Sequence, residues 1–133
     1  MTGVQFTEND IKDKDRLMTM IEKEAQMIFN SSIANRGRTL DDIKQSVKQG
    51  KIAELWLIEN YGFLEADKKW HDLKNAEGEY IEVKAYHVTD SGAPYVQKDI
   101  KRIKDEKWNT SKWYMLFKYD YGTYFFLEKI QIY

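Results

Sequence analysis

The stretch WHDLKNAEGEYIEVKAY, residues 70–86, decides the fold because polar and apolar side chains alternate on both sides of a turn. The turn at 76–78 ends in glycine, and alternation with a period of two residues is typical of β-strands. The stretch therefore predicts a β-hairpin in which Asn75 pairs with Glu79.

In this register, two carboxylates and one ammonium share a face of the hairpin. Asp72 lies directly opposite Glu82, and side chains in such positions are about 5 Å apart at Cβ, so their charges repel each other. A hard divalent cation such as Mg²⁺ removes the conflict because it takes carboxylate oxygens as ligands. Lys84 follows two residues after Glu82 on the same side of the strand. An ammonium there can orient an attacking water or neutralise charge on a phosphate, as phosphodiester hydrolysis requires.

A helix predicted at 40–61 supplies a further carboxylate. Glu54 lies on the apolar side of this helix, on the stripe formed by Ile43, Val47, Leu57 and Tyr61. A carboxylate on an apolar face needs a partner. Lys51, one turn earlier, can neutralise it, and so can Lys84 or a metal ion.

Three sequence elements resemble the PD-(D/E)xK nuclease superfamily, which includes type II restriction endonucleases and Holliday-junction resolvases: Gly50-Lys51-x-x-Glu54, Asp72 and Glu82-Val83-Lys84. The resemblance covers residues 40–119 and implies a restriction-endonuclease-like core. His71 stands where the family name has proline.

The resemblance also implies the roles of individual residues. Asp72 and Glu82 are expected to bind Mg²⁺, for which Mn²⁺ can substitute, together with the backbone carbonyl of Val83. Lys84 is expected to assist the water, and Glu54 to complete the catalytic and metal site.

Several polar residues are candidates for contact with DNA phosphates. On a helix predicted at 97–107 the alternative is a solvated face, because Asp99, Asp105 and Glu106 offset its basic residues. Gln97 is also a candidate for reaching the metal site. The predicted DNA-binding residues are Lys51, Gln97, Lys98, Lys101 and Arg102.

The order of the predicted helices and strands along the chain indicates an α/β (α+β) fold with a mixed central sheet flanked by helices. We expect one nuclease domain with a helical extension at 1–38, a catalytic core at 39–119 and a terminal strand at 120–133. The other predicted elements are a helix at 7–30, a loop at 31–38, a loop at 88–95 and strands at 112–119 and 122–132.

Composition narrows the class of protein. The chain has 133 residues and no Cys, which excludes disulfides, thiolate zinc sites and thiol catalysis. No segment resembles a signal peptide or a membrane span, so we expect no membrane partner and a cytoplasmic location, the host cytoplasm for a viral protein. The net charge of −1 is unfavourable for a protein that coats nucleic acid non-specifically.

The expected function is that of a Mg²⁺-dependent DNA endonuclease, either structure-directed or specific for a short site. The alternative is an inactive protein of the same fold that binds nucleic acid or a protein partner. Cutting both strands in one encounter requires two centres, so a homodimer is expected. Its interface is predicted on the Met-rich helix at 7–30 or on the strands at 112–132.

Overall fold

The computed structural model describes residues 3–67, 72–87, 92–106 and 109–133, and the side chains in these ranges apart from those of 92–95. Nine helices and strands are used below, within these ranges. They are β1 (Gln5–Thr7), α1 (Lys14–Asn30), α2 (Leu40–Tyr61), β2 (Leu64–Glu65), β3 (Leu73–Lys74), β4 (Tyr80–His87), α3 (Gly92–Asp105), β5 (Ser111–Asp120) and β6 (Thr123–Gln131).

The strands form a mixed sheet in the order β1-β6-β5-β4-β3-β2. β4 and β5 are parallel, and α3 connects them along the chain, whereas the other neighbours are antiparallel. A mixed sheet with helices packed against it confirms the predicted fold class.

α2 begins and ends where its sequence predicts. The hydroxyl of Thr39 accepts a hydrogen bond from the Asp42 N–H at 3.2 Å, and Gly62 adopts a left-handed conformation with φ 69°. Ile43 and Leu57 are fully buried, as expected of the inward stripe, but Tyr61 is 37% exposed. The apolar stripe therefore ends before the last turn of the helix.

Each face of the sheet carries its own apolar cluster. Residues of α1 and α2 pack on one face with Leu73, Ile81 and Met115, and residues of α3 pack on the other with Tyr114 and Leu116. Side chains alternate along β4, and its Glu82 and Lys84 pair with Tyr114 and Leu116. Glu82 and Lys84 therefore lie on the α3 face, whereas α2 packs on the opposite face.

The predicted helix at 7–30 is wrong at its start. β1 precedes it and pairs with β6, and α1 begins only after Asp13, whose carboxylate accepts a hydrogen bond from the Arg16 N–H. Thr7 caps a short 3-10 turn instead of the long helix. The ring of Phe6 stacks on Trp56 at a centroid distance of 4.2 Å, which fixes β1 on the core.

The predicted loop at 88–95 is also wrong in part, because α3 begins at Gly92. Pro94 lies in the first turn of this helix, where the N–H that proline lacks would have no partner within the helix. Among the described residues, no helix has the length and hydropathy that a membrane crossing requires.

Candidate active site

The hairpin brings Asp72 and Glu82 together. The Asn75 N–H donates to the Glu79 carbonyl at 3.0 Å, as predicted. Leu73 pairs with Ile81, so the same register continues to Asp72 opposite Glu82. The predicted juxtaposition of the two carboxylates is therefore present.

A backbone hydrogen bond orients Asp72. Its Oδ2 accepts the N–H of Val83 at 2.8 Å. Burial raises the pKa of Asp72, while the bond from Val83 and the ammonium of Lys51 oppose the rise. The partly buried carboxylate is fixed next to Glu82 and resists ionisation.

Glu82 is in a similar position on the neighbouring strand. Burial and the adjacent Asp72 raise the pKa of Glu82 to about 8, and a hydrogen bond from Ser111 opposes them. The Ser111 hydroxyl donates to Glu82 Oε1 at 3.2 Å. The two carboxylates cannot both ionise without cost, and a bound cation would remove that cost.

Ser111 is a neighbour of the candidate site that the sequence did not indicate. It is fully buried at the start of β5, and its N–H donates to the side-chain oxygen of Asn109 at 3.1 Å. Parallel pairing with β4 brings it beside Glu82, a contact that no local pattern reveals. The only signal is a small hydroxyl residue at the start of a strand.

Glu54 of α2 lies close enough to Asp72 for their charges to interact, and it is 6% exposed. The ammonium of Lys51 is 3.3 Å from Glu54 Oε1 and 3.2 Å from Oε2. Burial and Asp72 raise the pKa of Glu54 well above its usual value, and Lys51 opposes them. The sequence allowed Lys51, Lys84 or a metal ion as the partner of Glu54, and the structure shows a contact with Lys51.

A cavity of about 370 Å³ opens beside these groups, between α1, α2 and the β2 edge of the sheet. Glu24 of α1 lines it together with Lys51, Glu54 and Asp72, and its carboxylate is 3.1 Å from the Lys51 ammonium. Sequence reasoning missed Glu24, because only the packing of α1 against α2 brings it to the site.

Lys51 is turned toward carboxylates rather than toward solvent. Its side chain is 14% exposed and is held by Glu24 and Glu54. Burial alone would lower the pKa of Lys51, but the two carboxylates raise it above its usual value. Its surroundings thus favour a role inside the cavity over the predicted contact with DNA phosphates.

The predicted DNA-binding residues of α3 have different surroundings. Lys98 and Lys101 are exposed. The guanidinium of Arg102 is 2.8 Å from Asp99 and 3.0 Å from Glu106. At this residue the acidic neighbours offset the positive charge, as expected of a solvated helix face. Gln97 lines a separate cavity of about 320 Å³, not the one that contains Asp72. His71 lies outside the described residues.

The donor set fits a hard divalent cation held by few protein ligands. Among the described residues, no three His, Cys, Asp or Glu side chains converge as a preformed metal site. Mg²⁺ needs no such cage, since it keeps several waters and often uses one or two carboxylates together with substrate phosphate. Asp72 and Glu82 supply two carboxylates that repel each other, which suits this mode of binding.

The family model described as the PD-(D/E)XK nuclease superfamily domain matches residues 41–121. The chain belongs to the PD-(D/E)XK nuclease superfamily. The matched region contains Glu54, Asp72, Glu82 and Lys84, and membership in the superfamily supports a nuclease-type function on nucleic acid. No curated protein and no solved structure matches the chain significantly.

Proposed function

We propose that this PD-(D/E)XK protein is a Mg²⁺-dependent deoxyribonuclease that cuts DNA internally, with the whole chain forming one nuclease domain. The proposal rests mainly on the pairing of Asp72 with Glu82 across the β3–β4 hairpin. Two partly buried carboxylates with raised pKa values are an unfavourable arrangement without a cation. Such clusters are characteristic of functional sites.

Asp72 and Glu82 would hold Mg²⁺ together with the backbone carbonyl of Val83, and Glu54 would complete the acidic side of the site. The cation supplies charge stabilisation at the scissile phosphate when it is bound. Asp72 is oriented for this task by the Val83 N–H, and Glu82 by the Ser111 hydroxyl. These hydrogen bonds preorganise the two carboxylates.

Lys84 would act on the water and on the phosphate. It lies two residues along β4 from Glu82 on the same face of the sheet. Its ammonium would orient the attacking water and offset the negative charge that grows on the phosphate oxygens. Lys84 is thus the residue that we assign to the chemical step rather than to metal binding.

α3 lies on the same side of the sheet as Glu82 and carries exposed basic residues. We assign phosphate contact to the exposed Lys98 and Lys101, with Gln97 and Arg102 beside them. The chain is close to neutral overall, so local charge rather than net charge would position the DNA.

The small domain has little surface for reading a long DNA sequence, which favours structure-directed or short-site cleavage. One centre cuts one strand at a time, so a homodimer is part of the proposal.

Cleavage of supercoiled plasmid and of branched DNA tests the proposal. Wild type should cut in Mg²⁺ but not in EDTA, and Lys84→Ala should be inactive although folded. Lys118→Ala is the matched control, because Lys118 lies on β5 with its ammonium 5.9 Å from the Phe125 ring centre. Folded wild type that binds DNA without cutting it would favour the inactive binding module instead.

A further inference from the structure

The Lys51 ammonium lies inside the carboxylate site rather than at its rim. It is 3.1 Å from Glu24 and 3.2 Å from Glu54, and its side chain is 14% exposed. Asp72 also attracts it electrostatically. A single cation is therefore shared among carboxylates from α1, from α2 and from the hairpin.

A buried carboxylate needs a positive charge nearby, and either an ammonium or a metal ion can supply it. A divalent ion that approaches Asp72 from the cavity repels the Lys51 ammonium. It therefore destabilises the ion pair between Lys51 and Glu54. We propose that Lys51 is the internal counter-ion of the metal-free site and competes with the divalent cation for Glu54 and Asp72. This inference rests on the proposed Mg²⁺-dependent function.

Glu24 gives the displaced ammonium another partner. It lies on α1, its side chain is 41% exposed, and it already contacts the Lys51 ammonium. When a divalent cation enters, Lys51 moves toward Glu24 and remains paired. Metal binding is thereby coupled to the contact between α1 and α2.

Calorimetric titration with Mn²⁺ tests this competition without any measurement of cleavage. Lys51→Met should bind Mn²⁺ about tenfold more tightly than wild type, because the competing charge is gone. Lys48→Met is the matched control and should bind like wild type. Lys48 lies on the same helix and pairs with Glu8 at 3.0 Å, away from the cavity. Lys51→Gln provides a polar replacement should the Met variant be poorly folded.

The double variant distinguishes competition from a general effect of charge. Glu24→Gln alone should weaken Mn²⁺ binding, since Glu54 then holds Lys51 more tightly. In the Lys51→Met background the same change should lose most of its effect, because no ammonium remains to be held. Strictly additive effects of the two changes would overturn the inference.

Two further outcomes separate this inference from the proposed function. Equal Mn²⁺ affinity of wild type and Lys51→Met would overturn the counter-ion inference and leave the proposed nuclease intact. Absence of Mn²⁺ binding to every variant would overturn both.

Discussion

The Oδ2 atom of Asp72 accepts the backbone N–H of Val83 at 2.8 Å, so the carboxylate reaches across the hairpin to the strand that carries Glu82. This hydrogen bond holds the acid in place although burial and neighbouring charge disfavour its ionisation. The buried carboxylate of Asp72 therefore lowers the stability of the folded protein, as is common at functional sites. Its effect on thermal stability can be measured on the metal-free protein.

Asp72→Asn should stabilise the protein in EDTA. The amide keeps an oxygen that can accept the Val83 N–H, while it removes the repulsion with Glu82. We expect a gain of about 1 kcal/mol, which corresponds to roughly 4 °C in Tm. Thermal unfolding followed by circular dichroism measures it. A lower Tm for this variant would show that the carboxylate pair is a structural element.

The pH dependence of stability should report the pKa of Glu82. Its value in the folded protein is raised to about 8, above the usual 4.5, so the folded state holds a proton that the unfolded state has lost between these values. Stability from this group is present at low pH and is lost as the pH rises toward 8.

In EDTA, the Tm of wild type should therefore fall between pH 5 and pH 8 more than that of Glu82→Gln. Glu82→Gln serves as the control because a Gln side chain has no proton to lose in this pH range. If Tm fell with pH at the same slope in both proteins, Glu82 would not be the source of the pH-dependent loss of stability.

The hairpin register could be predicted from sequence because the turn residues and the alternation set it locally. Thr39, Gly62 and the helical period likewise placed Glu54 on a buried face. Glu24 and Ser111 could not be predicted, since they contact Lys51 and Glu82 only through packing between elements distant in sequence. The strand Gln5–Thr7 is too short to show a period, and its pairing with β6 is a tertiary contact.

Lys84→Arg should lose most of the cleavage activity although the positive charge is kept. Guanidinium is larger, planar and more weakly hydrated than ammonium, so it cannot take the same position beside Glu82. We expect a loss of roughly a hundredfold in the cleavage rate, the size of a typical general acid–base or positioning contribution. Single-turnover kinetics on plasmid measure it. Full activity in the Arg variant would reduce Lys84 to a source of general positive charge.

The protein should sediment as a dimer at micromolar concentration. Met18 and Met27 of α1 are 54% and 43% exposed, so this helix presents apolar surface outside the core. Met18→Lys should shift the equilibrium toward monomer if α1 forms the interface. A strict monomer that linearises plasmid without an accumulating nicked form would contradict the argument that two centres are required.

We propose that Asp72 and Glu82 form the Mg²⁺-dependent catalytic centre of a nuclease. The most direct test is the single-turnover rate of plasmid cleavage as a function of Mg²⁺ concentration, for wild type, Asp72→Asn and Glu82→Gln. We expect the wild-type rate to rise with Mg²⁺ concentration and to saturate, and we expect no cleavage in EDTA and none by either folded variant. Cleavage by either variant at the wild-type rate, or a wild-type rate that does not depend on Mg²⁺, would contradict it.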